Sequence, residues 1–287
     1  PEETILAVSG ADAVITNFAP MGREQMAAMN RGGTVIRYGV GVDSVDLEAA
    51  RDLGVNVANV PDYGIDTVAD HAAAMMLALL RRLPHYTTQI RDKGWVAPVQ
   101  VGPLTSFGRI TIGLLGVGRI SCALADRLHP FGFRILGYDP YTSPEVAAEH
   151  HVELLSLDEV LASAQGFSLH LPATPETVSL INRDTLAKMP RGAVIVNTSR
   201  GSIVDEDALA EAIRDGRIAG AGLDVFDPEP LVDNSPLRNL SEVILTPHAA
   251  FYSSESIDNL QRLAGEEAVR GLLGQALRCP VAIAGTR

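Results

Sequence analysis

The feature that most constrains this chain is the rhythm of residues 106–247, where short apolar runs alternate with helical patterns and glycine-rich connections. The runs are Ile110–Leu115, Arg134–Tyr138, Phe167–Leu171, Ala193–Thr198, Ala219–Leu223 and Val243–Thr246. Apolar runs of this length bury both faces, as strands do when helices cover a parallel sheet on each side. Six of them predict a doubly wound α/β sheet. The 287 residues exceed a typical domain of roughly 150, so a second unit is expected. Residues 1–60 fit it, with strand candidates Ala13–Thr16, Thr34–Val40 and Val55–Val60 around helical segments Arg23–Met29 and Asp46–Asp52. Two long helical stretches flank the central block. Thr67–Arg82, apolar on most faces, is expected to end before Pro84, and Ser254–Gln275 precedes Pro280. Two domains joined by two long helices follow.

The central block opens with a strand, a glycine turn and an amphipathic helix in order. Gly116 permits the turn and Gly118 admits close approach of a pyrophosphate. The first amides of the following helix, from Arg119 and Ile120 onward, offer donors to its charge. Ile120, Ala123, Leu124, Leu128 and Phe131 read as the inward face. The third fingerprint position is Ser121, where a small apolar residue is usual, and its hydroxyl is expected against the strand. Asp139 ends the next strand about 20 residues after the turn, where a carboxylate accepts from ribose hydroxyls and repels a 2′-phosphate. That points to NAD rather than NADP.

Three polar residues follow later strands, at the edge where ligands of open α/β sheets collect. Arg200 offers a planar fork suited to a carboxylate and its neighbouring carbonyl oxygen. His248 is of the type that exchanges a proton near neutral pH. Glu229, in the proline-flanked run Asp224-Val-Phe-Asp-Pro-Glu-Pro, is placed to orient that imidazole. Together they suit proton and hydride transfer on a 2-oxo acid.

Composition narrows the remaining classes. A net charge of −12 argues against nucleic acid and anionic membranes as partners. Cys122 and Cys279 form no CxxC and no Cys/His cluster, so no metal site is expected and a cytoplasmic setting is. The longest uncharged apolar run, Ala72–Leu80, is far short of the roughly 20 residues that cross a bilayer. The chain starts at Pro1, which suggests a fragment of a longer one.

Four stretches carry a family likeness: Leu115-Gly-Val-Gly-Arg-Ile, Leu169-His-Leu-Pro-Ala-Thr-Pro-Glu-Thr, Asn197-Thr-Ser-Arg-Gly-Ser-Ile-Val-Asp and Thr246-Pro-His-Ala-Ala. In these the sequence resembles the D-isomer-specific 2-hydroxyacid dehydrogenases. The resemblance implies a Rossmann-type NAD-binding domain at residues 75–255 and a smaller flavodoxin-like βα substrate domain from 1–74 and 256–287. It implies a catalytic set of Arg200 as substrate anchor, Glu229 as partner and His248 as acid/base. Cofactor contacts are implied at Leu171, Pro172, Thr177, Thr198, Ser199, Arg200, Asp224, His248 and Ala250. The loop Tyr38-Gly-Val-Gly-Val-Asp resembles the family's substrate loop, which makes Val40 and Gly41 substrate-binding. Exclusion of water during transfer predicts a cleft that closes about the two crossing helices, and the resemblance further implies a homodimer through the helix at Thr67–Arg82 and its flanks. Thr246-Pro-His-Ala-Ala-Phe-Tyr-Ser and Gly137-Tyr-Asp-Pro-Tyr are similar to the C-terminal-binding-protein branch, which implies an NADH-sensing corepressor as an alternative. Arg37 is similar to an arginine with which phosphoglycerate dehydrogenases hold a substrate phosphate, and so implies another. Glu229 stands where formate dehydrogenases carry glutamine, which argues against that relative.

Overall fold

A computed structural model describes residues 2–282. In chain order its elements are α1 (Glu2–Val8), β1 (Ala13–Thr16), α2 (Arg23–Ala28), β2 (Thr34–Arg37), α3 (Leu47–Leu53), β3 (Asn56–Ala58), α4 (Ile65–Leu80) and α5 (Leu83–Lys93). There follow β4 (Thr111–Leu115), α6 (Arg119–Leu128), β5 (Arg134–Tyr138), α7 (Pro144–Glu149), β6 (Val152–Leu154), α8 (Leu157–Ser163), β7 (Gly166–Leu169) and α9 (Arg183–Lys188). The chain ends with β8 (Ala193–Asn197), α10 (Glu206–Arg214), β9 (Ile218–Leu223), β10 (Val243–Leu245) and α11 (Ser254–Leu272).

Two compact units result, residues 1–65 with 252–287 and residues 66–251. The divisions fall at 65/66 and 251/252 rather than at the expected 74/75 and 255/256. The reason for the first is packing: Ala69, Ala72, Ala73, Met75, Met76, Leu79 and Leu80 of α4 are buried in one cluster with Ile112 and Leu114 of β4. Residues 66–74 therefore belong to the larger unit's core.

The smaller unit is a three-stranded parallel sheet in the order β1-β2-β3. One face buries Val35 and Val57 with Met21, Met26 and Met29, while Ile36 meets Leu260, Leu263 and Ala264 of α11 on the other. Asp46 caps α3, its carboxylate accepting from Ala49 N at 2.9 Å.

The larger unit is a seven-stranded sheet ordered β10-β9-β8-β7-β4-β5-β6, every pair parallel. The sequence reading expected six strands. The seventh, β6, is a three-residue edge strand whose Val152-Glu-Leu alternates rather than running apolar, because only one face is covered. The chain winds outward from β4 through β5 to β6, then returns to β7 on the other side of β4. That reversal opens a crevice at the carboxyl ends of β4 and β7. α4 comes down close on the sheet, and at Gly222 of β9 a Cβ would stand 2.9 Å from Met75 Sδ. α4 ends at Leu80, before the expected Arg82. Arg82 takes a left-handed conformation (φ 52°) and Pro84 opens α5 instead.

α6 buries Ser121, Cys122, Leu124, Ala125 and Leu128. Ile120 and Ala123 are only half-buried, and Phe131 lies on an exposed turn beyond the helix end, 49% exposed. No helix among the described residues is long and apolar enough to cross a membrane.

Candidate active site

Because all seven strands are parallel, the loops after β4, β5, β7, β8, β9 and β10 leave the same edge of the sheet. The glycine turn after β4 is shaped by absent side chains. Gly116 has φ +89°, and a Cβ there would lie 2.9 Å from the His170 carbonyl group. Gly118 has nothing within 4 Å of the Cβ position. It is the N-cap of α6 and supplies no side-chain cap, so the first-turn amides stay open toward the crevice with exposed Arg119 beside them. This open cradle fits a dinucleotide pyrophosphate. Ser121 departs from expectation: its hydroxyl donates to Gly118 O at 2.9 Å instead of facing the strand. A serine in the first turn reaches its own N-cap carbonyl more easily than a neighbouring strand, and Ser121 is fully buried there.

Asp139, at the end of β5, ties the turn down. One carboxylate oxygen accepts from Val117 N at 2.8 Å, and the other accepts from Tyr141 N and Thr142 N at 2.8 and 3.2 Å. Thr142 Oγ1 donates back to Val117 O at 2.9 Å. The anion is thus fixed beside the glycine turn, with lone pairs left for a ligand hydroxyl. After β7, Leu171 is buried and Thr177 closes the loop, donating from Oγ1 to Pro172 O at 2.6 Å and accepting from Thr174 N at 2.8 Å.

The loop after β8 carries Thr198, Ser199 and Arg200. It is organised by the buried Asn197, whose Nδ2 donates to Arg200 O at 2.7 Å. Its Oδ1 accepts from Ser199 N and Oγ at 3.0 and 2.8 Å. Arg200 Nη1 donates to Ser199 O at 2.6 Å. The Thr198 hydroxyl is buried without a hydrogen-bond partner, a polar atom facing no protein group on an edge suited to a polar ligand. Gly201 explains how the next loop comes so close: a Cβ there would lie 2.0 Å from the Phe226 carbonyl carbon. Phe226 N in turn donates to Glu229 Oε1 at 3.0 Å. The glycine after Arg200 therefore lets the arginine loop lie directly against the glutamate loop.

Glu229 Oε2 lies 2.8 Å from His248 Nδ1, with both side chains about one-third exposed. His248 has φ 52°, a left-handed conformation that costs a non-glycine residue roughly 1–2 kcal/mol. Asp224, fully buried, holds it there with three consecutive amides. Its main-chain carbonyl accepts from His248 N at 2.7 Å, while its carboxylate accepts from Ala249 N at 2.7 Å and Ala250 N at 2.8 Å. Thr246 Oγ1 adds a fourth donor at 2.5 Å. The Phe251 and His248 rings meet edge to face, with centroids 6.2 Å apart.

The larger unit thus brings together Gly116, Gly118, Arg119, Asp139, Leu171, Pro172, Thr177, Thr198, Ser199, Arg200, Asp224, Glu229, His248 and Ala250 at one sheet edge, with Ile120 in the first turn of α6. Val40 and Gly41 lie in the smaller unit, in the loop after β2. There Asn59 Nδ2 donates to Val40 O at 2.6 Å, and Arg37 Nη1 donates to Tyr38 O at 2.6 Å over Gly39. Asn197 and Thr246 stand inside stretches singled out from the sequence, yet no role was read for them. A polar amide or hydroxyl at a strand end, two or three residues before His248 or Arg200, was the available signal. His170, at the end of β7, is held by Ser168 Oγ at 2.9 Å, and burial pulls its pKa down to about 4. It stays neutral down to about that pH.

Residues 73–250 match the family profile described as D-isomer specific 2-hydroxyacid dehydrogenase, NAD binding domain. D-3-phosphoglycerate dehydrogenase of Mycobacterium tuberculosis is 41% identical over 285 residues, which is 99% of this chain and 53% of that protein. The chain spans about half the length of these curated relatives. Glyoxylate reductase of Korarchaeum cryptofilum is 37% identical over 266 residues, 91% of this chain and 80% of that protein. The crystal structure of the TT0316 protein from Thermus thermophilus aligns with a TM-score of 0.88 at 38% identity, covering 98% of this chain and 89% of that one. The cofactor of such a domain is NAD, in keeping with the open glycine cradle and Asp139. The chain belongs to the D-isomer-specific 2-hydroxyacid dehydrogenase family.

Proposed function

We propose that this chain interconverts a 2-oxo acid and a D-2-hydroxy acid, with His248 as acid/base. The observation that carries the reading is the 2.8 Å contact between Glu229 Oε2 and His248 Nδ1, on the edge that also bears Arg200. Bound NAD supplies the hydride chemistry. With Nδ1 committed to the carboxylate, Nε2 is the ring atom that gives a proton to the substrate oxygen or takes it back. Glu229 is itself held by Phe226 N, so the carboxylate that orients the ring is fixed in place. Arg200 supplies a fork for the substrate carboxylate and its neighbouring oxygen. Val40 and Gly41 are assigned to the same carboxylate on the family resemblance alone.

Turnover of NADH with glyoxylate, pyruvate, hydroxypyruvate and a phosphorylated 2-oxo acid tests the reading. His248→Asn is expected to lower turnover by about 10³-fold, within the range for losing a general acid/base, while NADH binding stays nearly intact. Unchanged turnover in that variant would sink the assignment. Tight NADH binding with no turnover on any acid would favour an NADH-sensing, partner-binding role.

Arg37 favours a second reading, in which the substrate carries a phosphate. The relatives named D-3-phosphoglycerate dehydrogenase support it, and selective use of the phosphorylated acid, lost in Arg37→Ala, is the expected mark. We further propose a homodimer working in the cytoplasm. The flank of α4 supports the dimer, since α5 buries no residue and Trp95 beyond it is 91% exposed. Both cysteines are free, as a reducing compartment would keep them. Sedimentation should show a dimer that Trp95→Ala weakens.

A further inference from the structure

One histidine outside every motif reaches the catalytic turn. His71 lies in the second turn of α4, which rests on the sheet over Gly222. Its Nε2 is 3.1 Å from Thr246 Oγ1 and 3.8 Å from Asp224 Oδ1. Thr246 has a single hydroxyl proton, and at 2.5 Å from Asp224 Oδ1 that proton is directed to the carboxylate. The hydroxyl oxygen can then meet His71 only as an acceptor, so His71 presents Nε2–H. A chain of donors results, imidazole to hydroxyl to carboxylate. It ends on the anion that also holds the amides of Ala249 and Ala250. Hydrogen bonds in series polarise one another in a low-dielectric interior, so each link stiffens the next.

We propose that His71 is a positioning residue for the reaction. Through Thr246 it completes the donor set around Asp224, and so holds the 246–250 turn in the left-handed shape that presents His248. The inference rests on the function proposed above. His71 touches no reacting atom in this scheme, so its removal lowers kcat far more than it weakens cofactor binding. A residue that merely filled space would be replaced by leucine at no catalytic cost.

The test compares His71→Leu, which keeps bulk and lacks a donor, with His71→Gln, whose amide N–H reaches about as far as Nε2–H. The intact chain is assayed with NADH and the best acid of the panel, alongside NADH binding and thermal unfolding. We expect kcat to fall about tenfold in His71→Leu, the kinetic equivalent of about 1.4 kcal/mol. NADH affinity and unfolding temperature should barely move, and His71→Gln should recover most of the loss. A kcat unchanged in His71→Leu, a loss that merely follows NADH affinity or unfolding, or no recovery in His71→Gln would each overturn the inference. If His71→Leu does not fold, His71→Gln and His71→Asn decide. Only the longer amide should retain kcat, and equal kcat in the two overturns the proposal. An unsubstituted chain inactive on every acid would defeat the function reading and this inference with it, whereas an active chain indifferent to His71→Leu defeats the inference alone.

Discussion

The turn after β4 and the turn after β10 both contain a residue with positive φ, Gly116 at +89° and His248 at +52°, yet they reach that geometry by opposite means. The first is built by leaving side chains out. Glycine occupies the left-handed region at little cost, and no Cβ fits against His170. The second is built by adding polar groups. His248 is held in an unfavourable conformation by Asp224, which takes three consecutive amides and a hydroxyl. Strained backbone persists only where its surroundings over-determine it. The glycine turn is therefore a matter of shape, and the histidine turn one of buried electrostatics.

The sharpest way to break this contrast is Asp224→Ala. It strands the Thr246 hydroxyl and the amides of Ala249 and Ala250, and should destabilise the chain by about 3–5 kcal/mol while abolishing turnover, as urea unfolding and assay would report. A loss near zero would mean that the turn needs no clamp. Gly116→Ala should cost less, about 2–3 kcal/mol from positive φ and overpacking together, and should show first in NADH binding. Should NADH bind as before, shape is not what the first turn contributes. Asp139→Asn keeps one acceptor for the Tyr141 and Thr142 amides, removes the charge and gives up the bond from Val117 N. The preference for NADH over NADPH should fall about tenfold, or about 1.4 kcal/mol, with the fold unaltered.

These turns also explain what could be read without coordinates. The β4 turn was legible because its requirements are residue identities at adjacent positions: Gly116, Gly118 and, after one strand, Asp139. Arg200, Glu229 and His248 were legible through their stretches and their places at strand ends. The contacts of Thr246 and His71 were not, because they depend on which loops a sheet brings together, 22 residues apart for Thr246 and Asp224 and 175 apart for His71 and Thr246, whereas Asn197, whose side-chain partners lie two and three residues on, has an amide that any strand end could carry. Ser121 was misjudged because its own N-cap carbonyl offered a nearer partner than the strand. The edge strand β6 escaped because alternation over three residues carries little signal.

The smallest expected effect separates the two histidines. The folded chain holds His170 neutral down to about pH 4, whereas the unfolded chain protonates it near the ordinary value of 6.5. The unfolded state then binds more protons in this window, so stability rises with pH through it and is lost on acidification from about 6.5 toward 4. Because the residue keeps some contact with solvent, we expect about 1 kcal/mol lost between pH 7 and 5. His170→Gln should flatten that part of the curve in urea unfolding followed across pH. An unchanged slope would show that other groups carry it.

The central claim is that Glu229 fixes the His248 ring so that Nε2 faces the chemistry. Nitrogen NMR of the isotopically labelled His248 ring tests it most directly, at a pH where the ring is neutral. The account predicts a proton on Nδ1, an unprotonated Nε2, and an Nδ1 signal that moves in Glu229→Gln. A neutral ring with its proton on Nε2, unchanged by that substitution, would contradict it.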